Sequence, residues 1–138
     1  MSSVFSRIVR GEIPSAKVYE DELTLAFMDI NPVARGHTLV ICKEEYPDLF
    51  TIPAEALVAV ARTTQQVALA IRTSLQPDGL NIVQNNGAAA GQIIFHYHVH
   101  LIPRWDKDGG AVRMGRHQES TPADLQSVAE QIRQQIAV

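Results

Sequence analysis

Phe-His-Tyr-His-Val-His-Leu-Ile occupies residues 95–102, and this stretch decides the fold that we predict. Successive side chains of a β-strand point to opposite faces, so His96, His98 and His100 would share one face, with next neighbours about 7 Å apart. The apolar residues at 95, 97, 99 and 101 would share the other face and bury against a helix. In a helix, side chains two positions apart do not share a face. The pattern therefore predicts a strand with three imidazoles on one side.

Further strands and helices are predicted on both sides of this stretch. We expect strands over 17–19, 23–28, 37–42, 80–84 and 93–102, the last ended by Pro103 because proline removes a ladder donor. Helices are expected over 3–10, capped by Ser3 and ended by Gly11, over 54–75, and from Thr121 to the end of the chain. Residues 106–120 are predicted as a polar loop. Because regular strand–helix alternation is missing, we expect an α+β fold with an antiparallel sheet and segregated helices.

Two of the helices carry apolar residues at helical spacing. The long one would bury Leu57, Val60, Ala61, Val67, Ala68, Ile71 and Leu75, with residues 62–66 in solvent. The C-terminal one would bury Leu125, Val128, Ala129, Ile132 and Ile136.

The composition limits the class of protein. The 138 residues are 46% hydrophobic and 20% charged, as in a globular chain, so we expect one domain over 1–138. No apolar run is long enough to cross a bilayer, and the single cysteine allows neither an internal disulfide nor a Cys-x-x-Cys zinc pair. The net charge is −3 without a basic block, which disfavours binding to nucleic acid. We expect a cytoplasmic protein without membrane or nucleic-acid partners.

Three alternating histidines admit three interpretations. They could be structural, although crowded imidazoles are poor core residues, or they could bind a metal such as zinc. The interpretation that we favour is phosphate chemistry, in which a neutral imidazole attacks phosphorus and its neighbours donate hydrogen bonds. His37, at the start of another strand, is a candidate fourth member, whereas His117 in the polar loop is expected to be structural.

Two other segments fit a phosphate site. Residues 85–92, Asn-Asn-Gly-Ala-Ala-Ala-Gly-Gln, form a loop of small residues that lets backbone N–H groups approach a phosphate. Asp29 follows a predicted strand and could accept hydrogen bonds from ribose hydroxyls, or it could be a turn residue before Asn31-Pro32. We expect Cys42 to be inert packing.

The sequence resembles the HIT (histidine triad) superfamily, and within it the Hint branch of histidine triad nucleotide-binding proteins. The resemblance rests on 96–102, which matches His-φ-His-φ-His-φ-φ with φ apolar, and on 4–14, 25–32, 36–41 and 85–92. It implies a five-stranded antiparallel sheet with a long central helix, a domain core over about 4–105, and a homodimer that joins two sheets. It also implies binding of purine nucleotides and cleavage at their α-phosphate, without a cofactor or metal.

The resemblance further implies a role for each matching residue. His98 would be the nucleophile that becomes nucleotidylated, His100 would contact the α-phosphate, and His96 and His37 would support them. Nucleotide contacts would come from Phe5, Ile8, Phe27, Asp29, Ile30, Asn85, Gly91, Gln92 and Ile93. Family members often carry serine or threonine where this chain has Ile93, and the residues after Pro103 match no diagnostic pattern. Hydrolysis of dinucleoside polyphosphates, and nucleotide binding with little turnover, therefore stay open as alternatives to phosphoramidate hydrolysis.

Overall fold

The computed structural model describes residues 2–110, 112, 114 and 116–137. Of the predicted loop 106–120, residues 111, 113 and 115 lie outside this part. The elements in chain order are α1 (Val4–Val9), β1 (Lys17–Glu20), β2 (Thr24–Met28), β3 (Thr38–Cys42), α2 (Ala54–Leu75), β4 (Gly79–Val83), a 3₁₀ turn (Ala88–Ala90), β5 (His98–Arg104) and α3 (Pro122–Arg133). No helix in the described part of the chain is long and apolar enough to span a bilayer.

The strands form one antiparallel five-stranded sheet in the order β1-β2-β3-β5-β4, which confirms the α+β prediction. Both faces of its centre are covered, so β2 and β3 are buried along their whole length. Helices α2 and α3 pack on one face, against Ala26, Val40 and Leu101. Helix α1 packs on the other face, against Phe27 and Leu39.

Local signals explain where the helices begin and end. The Ser3 hydroxyl accepts the N–H of Ser6 at 3.0 Å and so caps α1. Helix α2 ends at Gln76, which adopts a left-handed conformation with φ 51°. Helix α3 begins with a capping box, in which Thr121 and Asp124 each accept the other's backbone N–H.

The histidine stretch differs from its prediction at both ends. Strand β5 begins at His98, so His96 lies before the strand rather than in it. The reason is that the His96 carbonyl accepts the His98 imidazole at 2.6 Å, while the N–H of Tyr97 bonds to Tyr46 outside the sheet. Phe95 is wrongly predicted as buried and is 47% exposed, whereas Tyr97 is buried as predicted.

Pro103 lies inside β5 rather than ending it. The Arg104 carbonyl accepts the N–H of Asp78, so Arg104 faces β4 and Pro103 faces the opposite edge of the strand. On that side β3 begins only at Thr38, which pairs with Leu101, so no residue of β3 lies opposite Pro103. On the other side Pro103 pairs with Leu80 of β4, and its missing N–H faces away from that strand.

Helix α2 differs from its prediction at two residues. Thr63 was expected in solvent but is buried, because its hydroxyl and that of Thr24 hydrogen bond at 2.7 Å. Ala61 was expected in the core but is exposed. The predicted burial of Val60, Val67, Ile71 and Leu75 is confirmed.

Candidate active site

A cavity of about 320 Å³ opens on the face of the sheet that α1 covers. This size lies within the range of about 300–1,000 Å³ that small-molecule sites occupy. The residues predicted for the site that line it are Phe5, Ile8, Phe27, Asp29, Ile30, His37, Asn85, Gly91, Ile93, His98 and His100. A larger cavity of about 560 Å³ is lined by none of the predicted site residues.

The His98 side chain presents an unprotonated nitrogen to the cavity. Its Nδ1 lies 2.6 Å from the backbone oxygen of His96. A carbonyl only accepts hydrogen bonds, so Nδ1 carries the proton and Nε2 carries the lone pair. The rings of Phe5 and His98 pack at nearly right angles with centroids 5.1 Å apart, which holds the imidazole against α1.

The Nε2 nitrogen of His100 carries a proton, unlike that of His98. The N–H of Val33 donates to Nδ1 of His37 at 3.1 Å, so His37 carries its proton on Nε2. That proton is donated to Nδ1 of His100 at 2.9 Å. His100 therefore keeps its proton on Nε2. Two neighbouring imidazoles, with centroids 4.9 Å apart, thus carry a lone pair and an N–H donor on their remaining nitrogens.

His96 is completely buried and does not line the cavity. Its Nε2 donates to the Cys42 carbonyl at 2.6 Å, and its Nδ1 lies 2.7 Å from the Ser3 hydroxyl. The prediction that all three histidines share one strand face is wrong for His96. Its backbone carbonyl, not its ring, contacts His98.

Burial keeps the cluster neutral near neutral pH. It lowers the pKa of His37 to about 4 and that of His100 to about 3, with a smaller lowering from neighbouring histidines. Burial also lowers the pKa of His96 and of His98. Neutral His98 keeps the lone pair that a nucleophile needs.

Asp29 lies at the rim of the cavity, directly after β2. Its Oδ1 accepts the N–H of Asn31 at 2.8 Å, so it is also the turn residue that the sequence suggested. Its Oδ2 lies 3.4 Å from Nε2 of His37. Burial raises the pKa of this carboxyl, and Oδ2 keeps acceptor capacity for a hydroxyl.

The atoms that could hold a metal ion differ from the triad histidines that the sequence left open as an alternative metal site. Ligand atoms of Asp29, His37 and His100 all lie within 4.8 Å of one another. His37 and His100 already satisfy each other through one hydrogen bond, which a metal would have to replace. The triad histidines do not converge on a point, because the His96 ring points away.

Two residues, Gln92 in the loop and His117 in the tail, lie in places that the sequence did not indicate. The Gln92 side chain is buried and holds the loop together, with its amide donating to Pro47 at 2.6 Å and accepting from Gly87 at 2.7 Å. It does not line the cavity. His117 was expected to be structural, yet it lines the cavity together with Met114.

Some lining residues escaped the sequence reasoning for identifiable reasons. Leu39 pairs directly with Phe27 across β2 and β3, and paired residues share one face of a sheet. The pairing of these two strands was therefore the signal that could have placed Leu39 at the cavity. His117 reaches the cavity through the bond of its Nδ1 to the Asn31 carbonyl at 2.9 Å. No periodicity in the tail signals that contact.

Comparison with known proteins identifies the family. The model of the HIT domain matches residues 10–107, which include the whole histidine stretch. The chain belongs to the HIT family. This confirms the resemblance that the sequence motifs carried.

Relatives of this HIT protein span most of its length. It is 45% identical to Protein hit of Bacillus subtilis over 97% of this chain and 94% of that protein. A hypothetical histidine triad nucleotide-binding protein of Sulfolobus tokodaii superposes with a TM-score of 0.87 at 34% identity, covering 96% of this chain and 91% of the other. Adenylylsulfatase HINT3 of Arabidopsis thaliana is 44% identical over 76% of this chain and 53% of that protein.

Proposed function

We propose that this protein hydrolyses purine nucleoside phosphoramidates through a covalent His98–nucleotide intermediate. One observation carries the proposal. His98 and His100 line the same cavity, His98 with an acceptor nitrogen and His100 with an N–H donor. A nucleophile and a donor to the phosphoryl oxygen are the two groups that displacement at phosphorus requires.

In the first step, the Nε2 lone pair of His98 attacks the α-phosphorus and forms an N–P bond. The P–N bond to the leaving group breaks, its electron pair stays on the nitrogen, and the leaving amine takes a proton from water. The His98 ring becomes a cation, which the His96 carbonyl stabilises through the Nδ1–H bond. His100 donates its Nε2–H to a phosphoryl oxygen. In the second step, water attacks phosphorus, the His98–phosphorus bond breaks, and the nucleoside monophosphate leaves with a proton released from the water.

The rest of the cavity is suited to a nucleoside. Asp29 would accept from the ribose hydroxyls, and an apolar wall of Phe5, Ile8, Phe27 and Ile30 would contact the base. Asn85, Gly91 and the backbone around Ile93 would approach the phosphate. The Gln92 side chain would not contact the nucleotide, because it is hydrogen-bonded within the loop.

The test is replacement of the nucleophile. His98→Ala should abolish hydrolysis of adenosine and guanosine phosphoramidates while AMP still binds, because the cavity walls remain. Quenched wild-type reactions should contain protein whose mass has risen by one nucleotide, and peptide mapping should place it at residue 98. Turnover by the folded His98→Ala protein at the wild-type rate would refute the mechanism.

Two other substrates share the α-phosphate chemistry and belong in the same assay. Dinucleoside polyphosphates are the alternative that the superfamily resemblance left open. Adenylyl sulfate is included because the Arabidopsis relative is named an adenylylsulfatase. Comparing kcat/KM for the three substrates at one pH decides which leaving group the site accepts. Added chelator should leave the rates unchanged, and its inhibition would instead favour a metal at Asp29, His37 and His100.

Ile93 supports the alternative of a binding protein with little turnover. Its side chain is 87% exposed at the cavity and offers no hydroxyl to a leaving group. A burst of product in rapid-quench experiments would favour the enzyme. Binding of substrate without release of any product would favour the binding protein.

We also propose a homodimer formed through β4. This strand is one of the two edges of the sheet. Its residue Ile82 lies opposite Leu101, so both side chains are on the face that α2 covers. Leu101 is fully buried there while Ile82 is 51% exposed, since α2 does not cover the edge. A second β4 would satisfy that edge and bury Ile82. Light scattering should give twice the chain mass, and Ile82→Lys should shift it toward monomer.

A further inference from the structure

A polar cluster lies beneath the start of α1, outside the cavity. Its members are Ser3, Ser6, Glu45 and His96, and none of them lines the cavity. The N–H of Ser3 and the hydroxyl of Ser6 both donate to one carboxylate oxygen of Glu45, each at 2.7 Å. The Ser3 hydroxyl lies 2.7 Å from Nδ1 of His96.

One arrangement of hydrogen atoms satisfies the shortest contacts of this cluster, while the Ser6 hydroxyl also lies 3.4 Å from Nδ1 of His96. Nε2 of His96 donates to the Cys42 carbonyl, so Nδ1 of His96 must accept. The Ser3 hydroxyl supplies that hydrogen and accepts the N–H of Ser6 in return. Glu45 holds both serines and has a lowered pKa, first because of the Ser3 N–H and then because of the Ser6 hydroxyl.

The cluster is joined to the candidate nucleophile by two routes. The His96 carbonyl accepts Nδ1–H of His98 at 2.6 Å, so the placement of His96 sets the direction of the His98 ring. Helix α1, which Ser3 caps, also carries Phe5, and the Phe5 ring contacts both His96 and His98. A shift of the helix start would therefore move His98 through its hydrogen bond and through its packing.

We propose that Ser3, held by Glu45 together with Ser6, is a positioning residue that fixes His96 and thereby the attack direction of His98. This inference rests on the proposed function, in which His98 is the nucleophile. The three residues do not touch substrate. Their contribution is to keep the His98 lone pair aimed at phosphorus, and misplacement by about 1 Å can cost about 100-fold in rate.

The first test is kinetic. Ser3→Ala should lower kcat for adenosine phosphoramidate by about 10–100-fold while KM changes by less than about threefold, because the nucleotide contacts remain. Ser3→Thr keeps the hydroxyl and should restore most of kcat. Glu45 is exposed, so Glu45→Ala should fold, and its loss of kcat should be smaller than that of Ser3→Ala. Ser2→Ala and Glu44→Gln are matched neighbours whose side chains make exposed contacts outside the cluster, and they should behave as wild type.

The second test needs no activity. In ¹⁵N-histidine NMR spectra of the free protein, Ser3→Ala should shift the ring nitrogens of His96 and change the Nδ1–H signal of His98, whereas Ser2→Ala should not. If the wild type lacks phosphoramidase activity, the proposed function fails, and the spectra still decide the positioning role. Unchanged His96 and His98 signals in Ser3→Ala, with kcat within threefold of wild type where activity exists, would reduce Ser3 to a helix cap and overturn the proposal.

Discussion

Acidification should destabilise this protein well before its carboxylates titrate, because the histidine cluster is buried in the neutral form. An unfolded histidine has a pKa of about 6.5. In the folded protein, burial lowers the pKa of His37 to about 4 and that of His100 to about 3. Between these limits the unfolded chain binds more protons than the folded one. Stability is therefore retained above about pH 6.5 and lost progressively below it.

The size of the loss follows from the pH interval. Each pH unit below the unfolded pKa costs about 1.4 kcal/mol per neutral buried histidine, so about pH 5 costs about 2 kcal/mol each and about 4 kcal/mol for both. At that pH the folded pKa values have little influence, since both histidines are still mostly neutral. The lowered pKa values of His96 and His98 act in the same direction, and the raised pKa of Asp29 opposes them. Such a loss is a large part of the total stability of about 5–15 kcal/mol that is usual for a domain.

Urea unfolding at about pH 7.5, 6 and 5 measures the effect directly. Carboxylates with a lowered pKa, such as Glu20, lose their contribution to the free energy of unfolding mainly below about pH 4.5. They therefore change the measured stability little between about pH 7.5 and 5. His100→Gln should shrink the loss by about 2 kcal/mol, because one neutral buried histidine is removed. A change of less than about 1 kcal/mol between pH 7.5 and 5 would refute the neutral buried cluster.

Three further changes have defined outcomes. Gly36→Ala should lower the free energy of unfolding in urea by about 1–3 kcal/mol, because its Cβ would lie 2.5 Å from Cδ1 of Leu75. Gly11→Ala, with a similar positive φ and no close neighbour, should lower it less. Equal losses for the two variants would contradict the clash. Cys42 is buried and burial raises its pKa to about 11, so a thiol reagent at about pH 8 should label it only on unfolding. Ile93→Ser should raise turnover severalfold with unfolding free energy within about 0.5 kcal/mol of wild type, and unchanged turnover would dismiss a leaving-group role.

The sequence predicted most of the fold because its strongest signals are local. Helix α2 has the predicted bounds of 54–75, since a long apolar periodicity ends at a turn. The errors occur where tertiary hydrogen bonds override pattern. Thr63 looks like a solvent residue until Thr24 on a distant strand supplies its partner, and Pro103 looks like a strand end until the short β3 leaves its edge free.

The candidate site was predictable in its residues more than in its geometry. Strand alternation placed His98 and His100 together. The positions of His37 at the start of a strand and of Asp29 after one made them candidates, and all four residues line one cavity. His96 was placed on the wrong element, because the bond from the His98 ring to the His96 carbonyl is invisible to a pattern of apolar and polar residues. His117 was missed because the bond that brings it to the cavity, between its Nδ1 and the Asn31 carbonyl, joins residues far apart in the sequence.

The polarity of the cluster depends on groups that cannot reverse. The Val33 amide can only donate, so the proton of His37 and then that of His100 are each assigned in turn. The His96 carbonyl can only accept, so the proton of His98 is assigned independently and in the opposite sense. Reversing the His98 imidazole would leave the buried His96 carbonyl without a donor, and reversing both His37 and His100 would leave the Val33 N–H without an acceptor, each at a cost of about 1–3 kcal/mol. Two identical side chains thus acquire different chemical roles from the two backbone groups that anchor them.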